Sequence, residues 1–416
     1  MKYVSSFEIE NEVIYADDPS NIFINVLCPK HSLNPLNPDG ITDNTYALQD
    51  IVNYVGKNGG GVIFFPTGKY LINGTINVNY RHISFVGENR ASSVIVKNDN
   101  MTTFIVQNVN FVYFNTLFFR NTNSNPSNSS YFIHFINSPY CEVEEISMYN
   151  SCRYIKISKS QGFKAYDVQM NNDEIFPTDS VIGFLFEDRC VSSRLLRCTC
   201  NFINIDTAYG IYTETYAQDI YVERFETTGC LNAILMKNTT AKNTGDIIIK
   251  NSIFDLIKGP CIRFIGIKSD IFNNTCIIDG IYCTPYNNSI NCLRFENSDN
   301  IMISNVGVNN PEKQTGVTSL SFNGCKNITV TNCEALDIDR NIAVINCKNF
   351  TISGNVDNTS NGMVITGSSR INVVNNITGK ISGDAPSSQL IVSCNNASGG
   401  IVINSTSSIN ANNIPQ

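Results

Sequence analysis

Asn291-Cys-Leu-Arg-Phe-Glu-Asn-Ser-Asp-Asn-Ile-Met-Ile-Ser-Asn305 decides how this chain is read, because its pattern returns. A small residue leads into an apolar alternating stretch, then Ser or Cys, then Asn or Asp, then a second alternating stretch. The phrase recurs as Ser319-Leu-Ser-Phe-Asn-Gly-Cys-Lys-Asn-Ile-Thr-Val-Thr-Asn332 and as Ala343-Val-Ile-Asn-Cys-Lys-Asn-Phe-Thr-Ile-Ser-Gly-Asn355. The first apolar residue of the second stretch marks each copy: Phe111, Cys141, Phe163, Val191, Ile220, Ile247, Ile271, Ile301, Ile328, Phe350 and Ile371. These markers lie 21 to 30 residues apart. A leucine-rich repeat shares that period but needs a Leu scaffold and helical halves, which are not visible. The segments alternate with period two, are rich in Ile, Val, Phe and Thr, and are punctuated by Asn, Gly and Ser. Short strands wound at this period form a parallel β-helix, whose coils bury their inner faces against one another and tolerate insertions where they turn.

Composition narrows the functions available. A length of 416 residues would ordinarily suggest more than one domain, but a solenoid core grows along a single axis. The net charge of −7 and the lack of any basic run argue against a nucleic-acid partner. Only 16% of residues are charged, so Asn, Ser, Thr and Tyr dominate the surface, as suits a face that meets sugars. Sequons such as Asn238, Asn327, Asn349 and Asn376 follow from this Asn content; stacked at a corner, such residues form hydrogen-bonded ladders. The fifteen cysteines recur by coil position and contain no C-x-x-C pair, which points to reduced, buried thiols and folding in a cytosol. The opening residues have no apolar signal-peptide core, and no stretch is long enough to span a bilayer. The expectation is a chain without a signal peptide, virion-associated or released by lysis.

The first hundred residues differ from the coils. Asp43-Asn44-Thr45 precedes an i, i+3, i+4, i+7 stripe of Leu48, Ile51, Val52 and Val55, and Gly56 with Gly59-Gly60-Gly61 ends it. This predicts a helix over residues 43–56 that covers the open end of the first coil. Phe23-Ile-Asn-Val26, Asp39-Gly-Ile-Thr-Asp-Asn-Thr-Tyr-Ala-Leu-Gln49, Gly60-Gly-Val-Ile-Phe-Phe-Pro-Thr-Gly-Lys-Tyr-Leu-Ile72 and Ile83-Ser-Phe-Val-Gly-Glu-Asn-Arg90 together resemble the opening of the pectate-lyase-like superfamily. Within it the resemblance is to the branch of phage tailspikes, pre-neck appendages and polygalacturonase-like enzymes. It implies an all-β, right-handed parallel β-helix of about 11–12 coils with an N-terminal capping helix. The expected organisation is a lead-in arm over 1–38, the helix and first coil over 39–100, the β-helix over 101–405 and a tail over 406–416. The segment Cys28 to Pro38 departs from the short link usual there.

The resemblance specifies fold better than reaction, since the scaffold hosts lyases, hydrolases, epimerases, transferases and adhesins. The Asn-Thr-Asp, Asp-Asp, His-Gly and Arg-Ile-Lys series of polygalacturonase-like members is not present in order. All three histidines, His31, His82 and His134, precede the middle coils. Column reasoning offers a site instead, because equivalent positions of adjacent coils lie about 4.8 Å apart. With Phe184, Ile211, Ile234, Ile262 and Leu293 inward, one outward column holds Leu185, Tyr212, Leu235, Arg263 and Arg294. The next holds Glu187, Glu214, Lys237, Ile265 and Glu296, with Lys156 and Ser158 one coil upstream.

Glu187 and Glu214 are the candidate acid and base of a glycoside-cleaving site. Tyr212 offers a ring to a sugar, while Lys156, Lys237, Arg263 and Arg294 offer charge to an acidic one. The competing reading is a solvated cross-coil charge ladder in which Lys237 neutralises Glu214. A second candidate is the acidic loop with Asp173, Glu174 and Asp179. No metal ligand set or cofactor motif appears, and a calcium ion is left open.

Three functions compete: a tailspike-like depolymerase cleaving an acidic surface glycan by hydrolysis or β-elimination, a non-catalytic glycan-binding or adhesive β-helix, and a sugar epimerase or fructan transferase. The partners implied are a polysaccharide and two further copies of the chain in a homotrimer, with outward Leu185, Leu235, Ile248 and Met302 as its apolar contacts; no membrane partner is expected.

Overall fold

The computed structural model describes residues 22–415 apart from 175–176, 178–179, 204, 241–243, 269–275, 289, 360, 385–386, 394, 405–407 and 412–413. Each coil lays down strands on three faces, and every strand pairing in the described residues is parallel. One coil shows the plan: Cys190–Leu196 on the first face, Thr199–Asn201 on the second and Ala208–Thr213 on the third. The third face is a sheet of fourteen strands among the described residues, from Ile76–Val78 to Ile401–Ile403. It exceeds the 11–12 coils expected because the terminal coils lack the repeating phrase that marked the others.

The first and second faces join in one continuous sheet, and the corner between them has a simple cause. At one equivalent position in successive coils the backbone turns left-handed: Thr116, Glu145, Asp167, Arg197, Arg224, Asn251, Asn305 and Asn332 have φ between 50° and 56°. Gly280 and Gly354 take the same place. Only Gly, and to a lesser degree Asn, adopts this region readily. Cross-coil pairing on both sides must hold the Arg, Glu and Thr members there.

Alternation puts Ile, Val and Phe inward on all three faces and builds one core from Ile24 to Ala397. Phenylalanines stack from coil to coil, as in Phe295 over Phe322 at 5.0 Å between ring centres. The polar interior positions are ladders. Asn355 Nδ2 donates to Asn376 Oδ1 at 2.9 Å, and Asn376 Nδ2 donates to Asn395 Oδ1 at 2.9 Å, all three buried. An outer ladder runs from Asn349 through Asn327 to Asn300, each bond 2.8 Å. Three of the sequon asparagines, Asn327, Asn349 and Asn376, therefore serve as ladder members.

The Ser-or-Cys position of the phrase also forms a column. The Cys325 amide donates to Cys347 Sγ, the Cys347 amide to Ser368 Oγ and the Ser368 amide to Ser387 Oγ. All fourteen cysteines among the described residues are free thiols, and all but Cys28 are buried. Cys394 lies outside the described residues.

The helix spans Thr45–Lys57 and buries Leu48, Ile51, Val52 and Val55 over the first coils. Asp43 Oδ1 accepts from the Thr45 amide at 3.0 Å, whereas the Asn44 side chain turns back to the Asn37 amide. The helix runs through Gly56 instead of stopping there. That glycine admits a ring: a Cβ on it would lie 2.1 Å from Tyr80 Cγ.

Three expectations change. The arm over 1–38 contributes a strand, Ile22–Asn25, paired with Gly61–Phe65, and strands at 408–411 and 414–415 extend the sheet where a tail was expected. The marker Ile271 lies outside the described residues; Cys276 is the residue that pairs with Ile301. Leu185 and Leu235 face outward as expected, yet they are only 5% and 4% exposed because neighbouring side chains cover them, so they offer no apolar surface to another chain.

Candidate functional site

The third face of the middle coils carries the candidate site. Its first outward column runs His134, Lys156, Leu185, Tyr212, Leu235, Arg263, Arg294 in strict register. Its second runs Ile136, Ser158, Glu187, and resumes as Lys237, Ile265, Glu296. Between them the strand Ala208–Thr213 ends one residue short, so Glu214 sits exposed in a bend beside Glu187 in sequence register. A third column, nearer the strand starts, holds Arg153, Ile182 and Tyr209.

Tyrosines make a platform here. Tyr131, Ile182 and Leu185 form a buried outer cluster, with Tyr209 and Tyr212 packed on it. The Tyr209 and Tyr212 rings are 5.3 Å apart and tilted by 38°. Both remain partly exposed, so the platform presents ring surface while its far side is anchored. Burial raises the hydroxyl pKa of Tyr131 and of Tyr209.

The charged groups that lie within the strands of the two columns have fixed partners. Lys156 Nζ lies 2.7 Å from Glu187 Oε2 and 5.6 Å from the centre of the Tyr131 ring. Ser158 Oγ approaches the same carboxylate at 3.5 Å, and His134 Nε2 lies 3.1 Å from Ser158 Oγ. Burial, reinforced by Lys156, pushes the His134 pKa down to about 4, so its ring is neutral at physiological pH. Glu187 is thus a half-buried, oriented acceptor. Partly exposed pairs of this kind contribute about 0–1 kcal/mol each to stability, so their main effect is to aim side chains.

Two expected roles change at the other end of the face. Lys237 Nζ donates to the Tyr212 hydroxyl at 3.0 Å and lies 5.1 Å from its ring centre, so the partner it takes is Tyr212 where Glu214 was expected. Arg263 and Arg294 do stand together, but both hold Glu296, at 3.0 and 2.5 Å. Their charge toward a ligand is therefore partly cancelled, a consequence of placing Glu296 at the strand end beside both guanidinium groups.

The acidic loop is arranged otherwise. Glu174 pairs with Arg120 at 2.6 Å, and Arg120 belongs to the second face. The Asp173 and Glu174 amides both donate to Asn150 Oδ1, and Asp179 lies outside the described residues. Among the described residues no group of three His, Cys, Asp or Glu is placed to hold a metal ion, and no helix is long and apolar enough to cross a membrane.

Sequence reasoning missed Tyr131, His134 and Tyr209. The signal was available: His134 continues the Lys156 column one coil upstream, and Tyr209 stands three residues before Tyr212 on the same strand.

The profile of the rhamnogalacturonase A/epimerase, pectate lyase-like family matches residues 35–257, just over half of the chain. The chain belongs to this family. No curated protein matches it. Among solved structures, a tailspike protein mutant of E. coli bacteriophage HK620 in complex with a pentasaccharide superposes with a TM-score of 0.64 at 12% identity, covering 92% of this chain and 80% of that one. PfbA, a surface adhesin of Streptococcus pneumoniae, superposes with a TM-score of 0.57 at 13% identity, covering 88% and 91%. At such identities the likeness shows the fold, and this pectate-lyase-like chain must be read by its own residues.

Proposed function

We propose that the third face of the middle coils binds an extended surface glycan and cleaves it. The observation that carries this reading is the tyrosine platform with an oriented carboxylate at its edge: Tyr209 and Tyr212 partly exposed, Glu187 fixed by Lys156, and Glu214 one coil on. Sugar rings stack on such surfaces, and partly desolvated charged groups bind their hydroxyls strongly. In hydrolysis, one carboxylate assists departure of the glycosidic oxygen while the other activates water or attacks the anomeric carbon. Glu187 and Glu214 are assigned these two tasks. In β-elimination of a uronate, a base would remove the proton α to the carboxylate as the glycosidic oxygen on the β-carbon leaves with a proton from an acid; Glu187 and Glu214 would take these two tasks, with Lys156 and Lys237 offering charge to the uronate carboxylate.

Three copies of the chain would assemble side by side through the second face. Its outward column carries two exposed apolar pairs, Ile253 with Tyr282 and Val356 with Ile377, each residue 42–53% exposed and the pairs separated by Gly307 and Glu334, which a monomer leaves in water. Light scattering at micromolar concentration tests this, with a single-chain mass as the contradicting result. Delivery to the glycan as part of a virion fits such an assembly.

The second reading, binding without cleavage, is favoured by the same Lys156–Glu187 pair, since a neutralised carboxylate serves well as a fixed acceptor. Parallel assays separate the two. The parent, Glu187→Gln, Glu214→Gln and Tyr209→Ala/Tyr212→Ala chains are incubated with capsular and teichoic-acid glycans; binding, new reducing ends and unsaturated-uronate absorbance are read. Cleavage lost in the Gln variants with binding kept supports the enzyme. Binding without cleavage by the parent supports the adhesive reading.

A further inference from the structure

At the N-terminal end, the helix Thr45–Lys57 and the coil corners beside it enclose a cleft of about 640 Å³. Lys57, Tyr80, Arg81, His82 and Asn108 line it. Two glycines set its walls. A Cβ on Gly56 would strike the Tyr80 ring, and one on Gly60, at φ +110°, would lie 2.4 Å from the His82 carbonyl oxygen. These close approaches fix Tyr80 and His82 around the opening.

The cleft is cationic in a chain whose net charge is −7. Lys57 and Arg81 are exposed, and neither has an ion-pair partner among the described residues; no carboxylate lines the cleft. This contrasts with the third face, where Lys156, Arg263 and Arg294 are all paired. A concave site with unpaired cations concentrates anions.

An aromatic stripe leads away from it. The His82 ring stacks on Phe111 at 5.1 Å and 11°, and Phe111 stacks on Tyr140 at 5.7 Å and 15°. Tyr140 is 47% exposed and lies over Gly162, where a Cβ would come within 2.7 Å of its ring. The stripe follows the corner between the third and first faces. Asn108, in the cleft, follows Gln107, whose register partners in the next coils are Ile136, Ser158 and then Glu187. On this edge Asn108 lies three coils from Glu187 and Arg81, which follows the strand Ile76–Val78, lies four, about 14 and about 19 Å at the spacing of neighbouring strands.

We propose that this cleft is an accessory site for an anionic group, phosphodiester or carboxylate, on the glycan that the third face binds. Lys57 and Arg81 hold the anion, and the His82–Phe111–Tyr140 stripe supports the sugars between it and Glu187. The assignment rests on the glycan-binding reading of the third face and adds to it an anionic polymer bound across both sites.

The test uses the full chain and three probes: glycerol-phosphate oligomers, oligogalacturonates and neutral dextran-type oligomers of matched length, followed by calorimetry at low and high salt. The parent is expected to bind at least one anionic series, which tells phosphate from carboxylate. Lys57→Gln/Arg81→Gln should weaken that binding about tenfold or more and flatten its salt dependence, with binding of any neutral oligomer unchanged. Circular dichroism and melting should match the parent, since both side chains are exposed. Unchanged anionic binding in the double variant, or no anionic binding by the parent, overturns the proposal. The Tyr209→Ala/Tyr212→Ala chain separates it from the third-face reading. If only that chain loses binding, the face stands and the cleft does not. If only the Lys57/Arg81 variant loses it, the cleft stands alone.

Discussion

The coils between Arg153 and Glu296 and those between Thr318 and Ile403 have the same three-faced plan and opposite surfaces. On the third face, the column that reads Lys156, Leu185, Tyr212, Leu235, Arg263, Arg294 continues as Ser321, Ala343, Val364 and Ser382. Rings and charges give way to small, uncharged residues. Inside, the later coils carry the Asn355–Asn376–Asn395 ladder and the Cys347–Ser368–Ser387 column. One repeat thus builds the same inner scaffold in both regions, while the outward columns change freely from coil to coil.

The largest effect should come from the middle coils. Glu187→Gln and Glu214→Gln should each lower glycan cleavage by about 10²- to 10⁴-fold, as loss of a general acid or base does. Ser321→Ala and Ser382→Ala on the same face should leave it unchanged. Equal rates across all four variants would erase the distinction between the regions.

Stability should respond in the reverse order. Asn376→Ala removes the acceptor for the Asn355 amide and Nδ2 and the donor to Asn395, leaving buried polar groups unpaired. The expected loss is about 2–4 kcal/mol by denaturant unfolding. Tyr212→Ala, on a partly exposed face, should cost less than about half of that. A ladder variant as stable as the parent would show that the later coils are not held by these bonds.

The cysteine columns give a milder test. Titration of the native chain should find few reactive thiols, Cys28 foremost, and nearly fifteen after denaturation, because burial raises the thiol pKa, to about 12 at Cys198 and Cys230.

The smallest effect is pH dependence at His134. Folded, it binds its proton only near pH 4, whereas in the unfolded chain it titrates near 6.5. Between these values the unfolded chain holds more protons, so stability falls as pH drops from about 6.5 to about 4 and is flat below for this group. His134→Gln should remove that slope in thermal melts; an unaltered slope would assign it elsewhere.

Much of the fold was legible in the sequence. Alternation and recurring Asn, Ser and Cys defined the coils, and the stripe Leu48–Val55 defined the helix, because both patterns report which side of an element is buried. The left-handed corner was only partly legible, since Arg197, Arg224 and Glu145 share it with Asn and Gly through tertiary pairing that no local preference reveals. Column arithmetic placed Tyr212, Arg263 and Arg294 on one line. It could not show that Glu296 takes both arginines or that Lys237 takes Tyr212, because side-chain partners depend on rotamers and strand ends, and the strand at Glu214 stops one residue early.

Everything proposed for the middle coils requires that a glycan lie on their third face. Hydrogen–deuterium exchange of the full chain, with and without each glycan of a capsular and teichoic-acid panel, tests it directly. Protection by at least one glycan is expected in Arg153–Ser158, Val181–Glu187 and Ala208–Thr213, with Thr318–Asn323 and Arg340–Ile345 unchanged. Protection confined to the later coils, or none with any glycan of the panel, would contradict it.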